Sequence, residues 1–167
     1  SHEELKTLVS EGGHISNDHQ RMLVNILDLE QASVEDVMVP RGEIVGIDLN
    51  DDWAHILSQL TQTVYTRLPV YRESIDDVVG MVYAKDLLHV NDAGPFDLMH
   101  HIREVPFVPE AKLLSDLLQE FRTGKTHAAI VLDEYGGTAG LVTLEDLLET
   151  VLDLEIVDEF DSVEDLL

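Results

Sequence analysis

The chain of 167 residues contains no cysteine, which excludes disulfides, thiolate metal ligands and a cysteine nucleophile. Basic residues are scarce: 10 Lys and Arg stand against 34 Asp and Glu, and the formal net charge is -24. A field of this sign repels nucleic-acid phosphates and anionic lipid headgroups, so we expect binding to neither. The sequence has no apolar run near the roughly 18 residues that span a bilayer, and no signal-peptide pattern. These absences predict a soluble, acidic, cytosolic polypeptide.

Motifs of the common enzyme classes are absent as well. The sequence has no Walker phosphate loop, no GxSxG nucleophile motif and no HExxH zinc motif. His100 and His101 are adjacent, so their side chains would diverge on a helix and make a poor metal pair. The acidic pairs Asp51–Asp52 and Asp76–Asp77 lack the spacing of a calcium loop and are expected in solvated caps and turns. We therefore predict neither a catalytic site nor a metal site.

The N-terminal part of the sequence has the apolar pattern of helices. Apolar residues recur at helical spacing on both sides of Gly12–Gly13. Ser33 and Asp36 have the spacing of a capping box, which predicts a third, short helix that Pro40 ends. Residues 1–35 are accordingly predicted to form a helical linker.

The remainder of the chain is an internal repeat. A shift of 60 residues lays 66–88 on 126–148 without a gap and gives six identities in 23 positions, where about one or two are expected by chance. The identical pairs are Thr66/Thr126, Gly80/Gly140, Val82/Val142, Asp86/Asp146, Leu87/Leu147 and Leu88/Leu148. Each copy has the pattern β-α-β-β-α. Strands are predicted at 44–47, 68–71, 78–83, 107–108, 128–132 and 138–142, with an acidic turn at Asp76–Asp77, and helices at 53–60 (capped by Asn50), 84–90, 114–121 and 144–154.

The repeat predicts an α/β (α+β) fold made of two similar units. Each unit has a sheet of about three strands with helices for one face only, so two units would pack sheet to sheet around a pseudo-two-fold axis. The predicted boundaries are 36–95 and 96–155, joined by a linker at 91–95 and followed by an acidic tail at 156–167. The outer helical faces remain available for a homodimer.

Four segments are similar to a known family. They are Asp36–Arg41, Arg67–Tyr71, Gly80–Asp86 and, above all, Asp133–Asp146 (DEYGGTAGLVTLED). Together they resemble the CBS domain pair, or Bateman module, of the CorB/CorC haemolysin-related, CNNM-like magnesium and cobalt transport proteins. The resemblance covers about residues 5–155. Many relatives continue after the last helix with Gly-Glu-Ile-Glu-Asp-Glu, where residues 153–158 read DLEIVD.

This resemblance implies a position and a function. It implies that the N-terminal helices connect the module to a membrane domain of the same full-length chain, at the cytoplasmic face of the membrane. It also implies that AMP, ADP or ATP binds between the repeats and controls a divalent-cation transporter. With ATP, Mg²⁺ could offset repulsion between the phosphates and this acidic chain.

The resemblance places eleven residues around the nucleotide. They are Thr66, Arg67, Leu68, Pro69, Tyr83, Asp86, His127, Ala128, Ala129, Thr143 and Asp146.

Thr143 and Asp146 give the sharpest local signal, and it has two compatible interpretations. Thr at the N-cap and Asp three residues later form a capping-box-like start of the last helix. A helix N-terminus is also a natural phosphate site. In the functional interpretation the Thr143 hydroxyl and first-turn amides hold phosphate, and Asp146 accepts hydrogen bonds from the ribose hydroxyls.

The other candidates also have structural alternatives. The Arg67 guanidinium suits phosphate but could equally pair with one of the many carboxylates. Asp86 would hold ribose in the first copy, and Tyr83 would stack on a base or simply fill the interface between the repeats. His127 could sense phosphate charge or merely be packed. The adenine ring would lie against backbone in two segments, 68–69 and 128–129. The small residues Ala128 and Ala129 leave room for the ring, but a tightly packed interface between the repeats needs small residues equally.

Two other functions stay open from the sequence. The module could be an unliganded dimerisation scaffold whose Thr143–Asp146 pair only caps a helix. It could also regulate a soluble enzyme, since CBS pairs occur there too.

Overall fold

Two sequence-similar units and an N-terminal helical segment make up the described part of the chain. The computed structural model describes residues 2–11, 16–88, 98–124 and 126–151. The N-terminal elements are α1 (His2–Glu11), α2 (Asn17–Gln31) and β1 (Val39–Pro40). The first repeat has β2 (Ile47–Asp48), α3 (Trp53–Gln62), β3 (Arg67–Arg72), β4 (Ser74–Tyr83) and α4 (Ala84–Leu88). The second has β5 (Phe107–Pro109), α5 (Leu114–Thr123), β6 (Ala128–Leu132), β7 (Thr138–Thr143) and α6 (Leu144–Val151). The predicted fold class and the β-α-β-β-α order of both repeats are confirmed.

The strands form two sheets, and each sheet is extended at one edge by a segment that leads into the other repeat. One sheet has the order β2-β3-β4 and the other β1-β7-β6-β5. Strand β1 lies at the beginning of the first repeat but pairs with β7 of the second, with Val39 opposite Leu141. In the same way Arg103, which precedes β5, forms a bridge with Met81 on β4. Each lead-in segment, residues 39–45 or 103–106, therefore lies against the other repeat.

This exchange explains why Gly80 and Gly140 are identical in the two copies. A Cβ on Gly140 would lie 2.6 Å from the carbonyl oxygen of Val39, and a Cβ on Gly80 would lie 2.6 Å from that of Arg103. Both distances are shorter than a carbon and an oxygen can approach without displacing the backbone. Glycine is thus required at each crossing of a lead-in segment.

An apolar cluster joins the two repeats. It contains Val78, Met81, Val105, Ala128, Ile130 and Leu141, contributed by both sheets and one lead-in segment. Burying each of the larger aliphatic side chains stabilises the folded state by about 1.5–3 kcal/mol relative to exposure. Separate clusters fill each repeat, and Val34, 0 % exposed, belongs to that of the second. The N-terminal segment is consequently anchored on the second repeat.

The cap of α3 differs from the prediction. Asp52 is the N-cap residue, and its Oδ1 accepts a hydrogen bond from His55 N–H at 2.8 Å. The N–H of Asn50 instead donates to Asp48 Oδ1 at 3.0 Å in the preceding turn. The prediction of Asn50 as the cap is wrong because the helix begins at Trp53, and its cap must be the residue immediately before.

Two strand boundaries also differ. The chain reverses between β3 and β4 at Glu73, where φ is 65°, and Asp76–Asp77 lie within β4. The predicted turn is displaced because register shifts near Tyr71 let β4 extend further. Of the strand predicted at 44–47, only the last residue is in a strand.

The Ser33–Asp36 segment keeps its predicted hydrogen bond in a shorter element. Ser33 N–H donates to Asp36 Oδ2 at 2.9 Å, but Val34–Asp36 form a single 3₁₀ turn and not an α-helix. The Gly12–Gly13 break, the 91–95 linker and the 156–167 tail lie outside the described residues.

Candidate functional site

Helix α6 begins directly after β7, at the pair Thr143 and Asp146. Asp146 N–H donates to Thr143 Oγ1 at 3.2 Å, and Thr143 N–H donates to Asp146 Oδ2 at 3.2 Å. This reciprocal capping box satisfies two backbone donors at the helix start. It uses one oxygen of the Asp146 carboxylate, Oδ2, so capping leaves the other oxygen for a further donor.

Both residues line a cleft of about 220 Å³ between the repeats, which we call the α6 cleft. Its walls are the first lead-in segment, the loop before β3 and the first turn of α6. The lining residues are Val39, Glu43, Ile44, Val45, Val64, Tyr65, Thr66, Arg67, Leu141, Thr143, Glu145 and Asp146. A cleft with one apolar side and a few convergent polar groups suits a small organic ligand.

The pseudo-symmetric position in the first repeat is almost filled. There Tyr83, Arg103, Thr126, His127 and Ala128 are among the residues that line a recess of only about 20 Å³. The guanidinium carbon of Arg103 lies 4.1 Å from the centroid of the Tyr83 ring. Arg103 Nη2 also donates to Asp86 Oδ2 at 3.1 Å. Arg103 thus contacts both Tyr83 and Asp86, the two residues predicted to bind nucleotide in this copy.

An ion pair between Arg67 and Glu145 crosses from β3 to α6. Arg67 Nη1 donates to Glu145 Oε1 at 2.8 Å and to Oε2 at 3.0 Å. Burial opposes ionisation of both groups, but their mutual hydrogen bonds prevail, so the pKa of Glu145 is lowered and that of Arg67 is raised. The sequence left this pairing open as an alternative to phosphate binding. A phosphate that reaches Arg67 must share it with Glu145 or displace Glu145.

A wider groove of about 670 Å³, which we call the α4 groove, runs along the start of α4 and meets the α6 cleft at this ion pair. Three basic side chains line it, Arg67, Lys85 and Arg103, together with the carboxylates of Asp86 and Glu145. The groove is therefore less acidic than the chain as a whole.

The predicted site residues fall into separate groups. Thr66, Arg67, Thr143 and Asp146 come together in the α6 cleft. Tyr83 and Asp86 line the α4 groove, and His127 and Ala128 line the recess. Leu68, Pro69 and Ala129 are buried and line none of these three spaces.

Sequence reasoning missed the apolar wall of the α6 cleft. Val45, Val64 and Tyr65 are 42 %, 90 % and 49 % exposed, respectively. Val64 and Tyr65 directly precede Thr66, which was itself a predicted site residue. This proximity was the available sequence signal for the apolar wall. No periodicity pointed to Val45, because its lead-in segment reaches the site by crossing to the other repeat.

Within residues 2–11, 16–88, 98–124 and 126–151, no helix has the length and apolar character needed to cross a membrane. Over the same ranges, no group of three or more His, Asp or Glu side chains is arranged to hold a metal ion.

Comparison with known proteins identifies the repeat. A model of the CBS domain family matches residues 34–92 and, a second time, residues 96–153. The UPF0053 inner membrane protein YfjD of Escherichia coli K12 is 42 % identical over 157 residues, which cover 91 % of this chain and 37 % of that protein. The magnesium and cobalt efflux protein CorC of the same organism is 36 % identical over 169 residues, which cover 98 % of this chain and 58 % of CorC. The chain thus spans only part of the length of these relatives.

Solved structures agree with this fold. The CBS domain of a bacterial CNNM/CorC family Mg²⁺ transporter in complex with an inhibitor has a TM-score of 0.80 and 41 % identity, covering 90 % of this chain and 96 % of that one. The CBS domain of a transporter of that family in complex with ATP has a TM-score of 0.73 and 43 % identity, covering 78 % and 94 %. A CBS-domain pair with bound AMP from Klebsiella pneumoniae has a TM-score of 0.66 and 42 % identity, covering 73 % and 99 %.

Fold, repeat and cleft define a tandem pair of CBS domains. Within that class, the chain belongs to the CBS modules of the CNNM/CorC family. The resemblance found in the sequence is confirmed.

Proposed function

We propose that this module binds an adenine nucleotide in the α6 cleft and thereby regulates a membrane transporter of divalent cations. The observation that carries the proposal is the Thr143–Asp146 capping box opening on a cleft shared by both repeats. Similar CBS domains have been solved with ATP and with AMP. The parent protein would hold the module at the cytoplasmic face of the membrane.

The polar end of the cleft would hold the sugar and phosphates. The free oxygen of Asp146 would accept from ribose hydroxyls, and the hydroxyls of Thr66 and Thr143 with Arg67 would contact phosphate. The amide of Leu144 already donates to His127 O at 2.8 Å, so side chains would contribute more than first-turn amides. The apolar wall at 44–45 and 64–65 would lie against the base.

Binding would act through the lead-in segment. The ligand would contact residues 43–45, which connect through β1 to α2 and so to the N-terminal helices. A nucleotide shifts the relative position of the repeats only by its difference in affinity for two arrangements, typically 1–3 kcal/mol. The N-terminal helices would transmit that shift to the membrane domain.

We expect Mg²⁺ to strengthen ATP binding. Glu43, Glu145 and Asp146 place three carboxylates around the cleft against the single cation of Arg67, and ATP adds several negative charges. Calorimetric titration with and without Mg²⁺ should show at least roughly tenfold tighter ATP binding with the metal and a smaller effect for AMP. We expect one site per chain, because the pseudo-symmetric recess has a volume of only about 20 Å³ and Arg103 is already paired with Asp86 there.

The same titration tests the proposal. Equal ATP affinities with and without Mg²⁺ would contradict the role of the metal, and two equivalent sites would contradict the role of Arg103. Absence of heat with ATP, ADP and AMP at any Mg²⁺ concentration would overturn nucleotide binding and favour the scaffold function.

We also propose a homodimer through the outer helices. Leu88 on α4 and Leu148 on α6 occupy equivalent positions in the two copies and are 50 % and 46 % exposed. A pair of apolar residues related by pseudo-symmetry suits an isologous interface, in which each patch meets the corresponding patch of a second chain.

Charged residues at these two positions should separate the dimer. The double variant Leu88→Glu/Leu148→Glu is expected to sediment with the mass of one chain where the wild type has the mass of two. Leu8→Glu on α1, which is 68 % exposed, is the control and should leave the mass unchanged. A wild type that sediments as a monomer at high concentration would contradict the proposed interface.

A further inference from the structure

Arg41 connects the first lead-in segment to both repeats. Its Nη1 and Nη2 donate to the two carboxylate oxygens of Asp76 on β4, the second at 3.2 Å. Nη1 also donates to the carbonyl oxygen of Thr138, at the start of β7, at 3.2 Å. One guanidinium therefore contacts a strand of each sheet.

Direct contacts between the two strands complete this arrangement. Asp76 Oδ1 accepts from Thr138 N–H at 3.0 Å, and Thr138 Oγ1 donates to Ile75 O at 2.7 Å. Thr138 is 1 % exposed and is the buried polar residue of the described core. The Arg41 hydrogen bond, followed by the Thr138 amide, lowers the pKa of Asp76, which keeps this carboxylate ionised. We call Arg41, Asp76 and Thr138 the Arg41 clamp.

The clamp lies immediately before a wall of the α6 cleft. Arg41–Glu43 form a 3₁₀ turn, and Ile44 N–H donates to Arg41 O at 3.3 Å. Residues 43–45 then line the cleft, and Val45 is 42 % exposed. On the described chain, the backbone of this wall is tied to the two hairpins through Arg41 and through the pairing of β1 with β7.

We propose that Arg41 is a positioning residue that fixes the 43–45 wall of the α6 cleft only while β4 and β7 are correctly placed relative to each other. A ligand that needs this wall therefore binds the clamped arrangement of the repeats in preference to any other. This inference rests on the proposed nucleotide function and names the side chain that couples ligand affinity to the relative position of the repeats.

The chemistry requires arginine at this position. A planar guanidinium can engage both oxygens of a carboxylate and a nearby carbonyl at once, whereas a lysine ammonium is a point charge without that fork. Arg41→Lys should therefore retain charge but weaken the clamp.

The first test is ATP affinity with Mg²⁺ in matched variants. Arg41→Ala and Asp76→Ala should each weaken binding about tenfold, and the double variant should be no weaker than the single ones, because both remove the same contact. Arg41→Lys should lie in between. The control is Asp77→Asn, an exposed carboxylate one residue away on the same strand, which should bind as the wild type does.

The second test needs no ligand. Hydrogen exchange at the amide of Ile44, which donates to Arg41 O, should accelerate in Arg41→Ala and Asp76→Ala but not in Asp77→Asn. Unchanged exchange, or faster exchange with unchanged ATP affinity, would overturn the proposal. If the wild type binds no nucleotide, the proposed function fails, and exchange alone decides whether Arg41 positions the wall. If Arg41→Ala does not fold, Arg41→Lys and Asp76→Asn provide the same comparison.

Discussion

Asp146→Ala is expected to weaken binding of Mg²⁺-ATP by roughly tenfold to a hundredfold. Hydrogen bonds to a charged group contribute about 1.5–3 kcal/mol, and each 1.4 kcal/mol is about tenfold in affinity. The variant also loses the acceptor of the Thr143 N–H, whereas the backbone N–H at position 146 still donates to Thr143 Oγ1. Loss of this one hydrogen bond at the helix start should cost about 1 kcal/mol of stability. Calorimetry measures the first effect, and thermal unfolding measures the second as a fall in Tm of about 2–4 °C.

Asp52→Ala is the matched control for the loss of a cap. Asp52 caps α3 with one hydrogen bond at 2.8 Å and lines none of the three spaces around the repeats. It should lower the Tm by a similar amount and leave ATP affinity unchanged. If Asp146→Ala behaves like Asp52→Ala, capping is the whole role of Asp146, and the scaffold interpretation gains the support that nucleotide binding loses.

Thr143→Ala separates the two roles further. It removes one capping acceptor while the Asp146 carboxylate remains. Weaker ATP binding with little change in Tm would indicate a direct contact from the Thr143 hydroxyl to phosphate. A fall in Tm without any effect on binding would indicate a cap alone.

The repeat was predictable from the sequence because duplicated structural requirements leave duplicated residues. Thr143 and Asp146 were predictable for a similar reason, since a capping box has a fixed spacing and acts within four residues. A local hydrogen-bond pattern of this kind can be predicted because the residues that form it lie close together in the sequence.

The partners of the charged residues were not predictable in the same way. The 34 acidic residues gave Arg67 many possible partners, and only the fold, which brings the first turn of α6 to the start of β3, selects Glu145. Arg103 is similar, because its place over Tyr83 depends on the exchange of lead-in segments. Contacts of this kind join side chains that are far apart in the sequence. They depend on the topology of the fold, which the periodicity of apolar residues does not reveal.

The positions of Leu68, Pro69 and Ala129 show a further limit. All three were predicted to flank an adenine ring, and the small size of Ala129 was compatible with a cleft and with close packing alike, but the structure buries all three. Residue size alone does not decide whether such a residue lines a cleft or is buried. That depends on how the other repeat packs against it.

Alanine at Gly140 and at Gly80 should have different consequences, although the two glycines are equivalent by sequence. Both substitutions force a Cβ to within 2.6 Å of a carbonyl oxygen in a lead-in segment. Overpacking of this kind typically costs about 1–3 kcal/mol, or a Tm lower by several degrees. Gly42→Ala is the control, because a Cβ at Gly42 meets nothing within 4 Å.

Nucleotide binding should distinguish the two variants. Gly140→Ala displaces Val39, and with it the wall of the α6 cleft at 43–45, so we expect ATP affinity to fall about tenfold or more. Gly80→Ala displaces Arg103, which belongs to the second lead-in segment. This variant should leave ATP affinity within about twofold, because that segment does not line the α6 cleft. Equal losses of affinity in both variants, after correction for the unfolded fraction, would mean that the two crossings act on binding only through general stability. Calorimetry at a temperature well below both Tm values compares the two affinities on folded protein. We expect them to differ because Gly140 lies against Val39, which lines the α6 cleft, whereas Gly80 lies against Arg103, which does not.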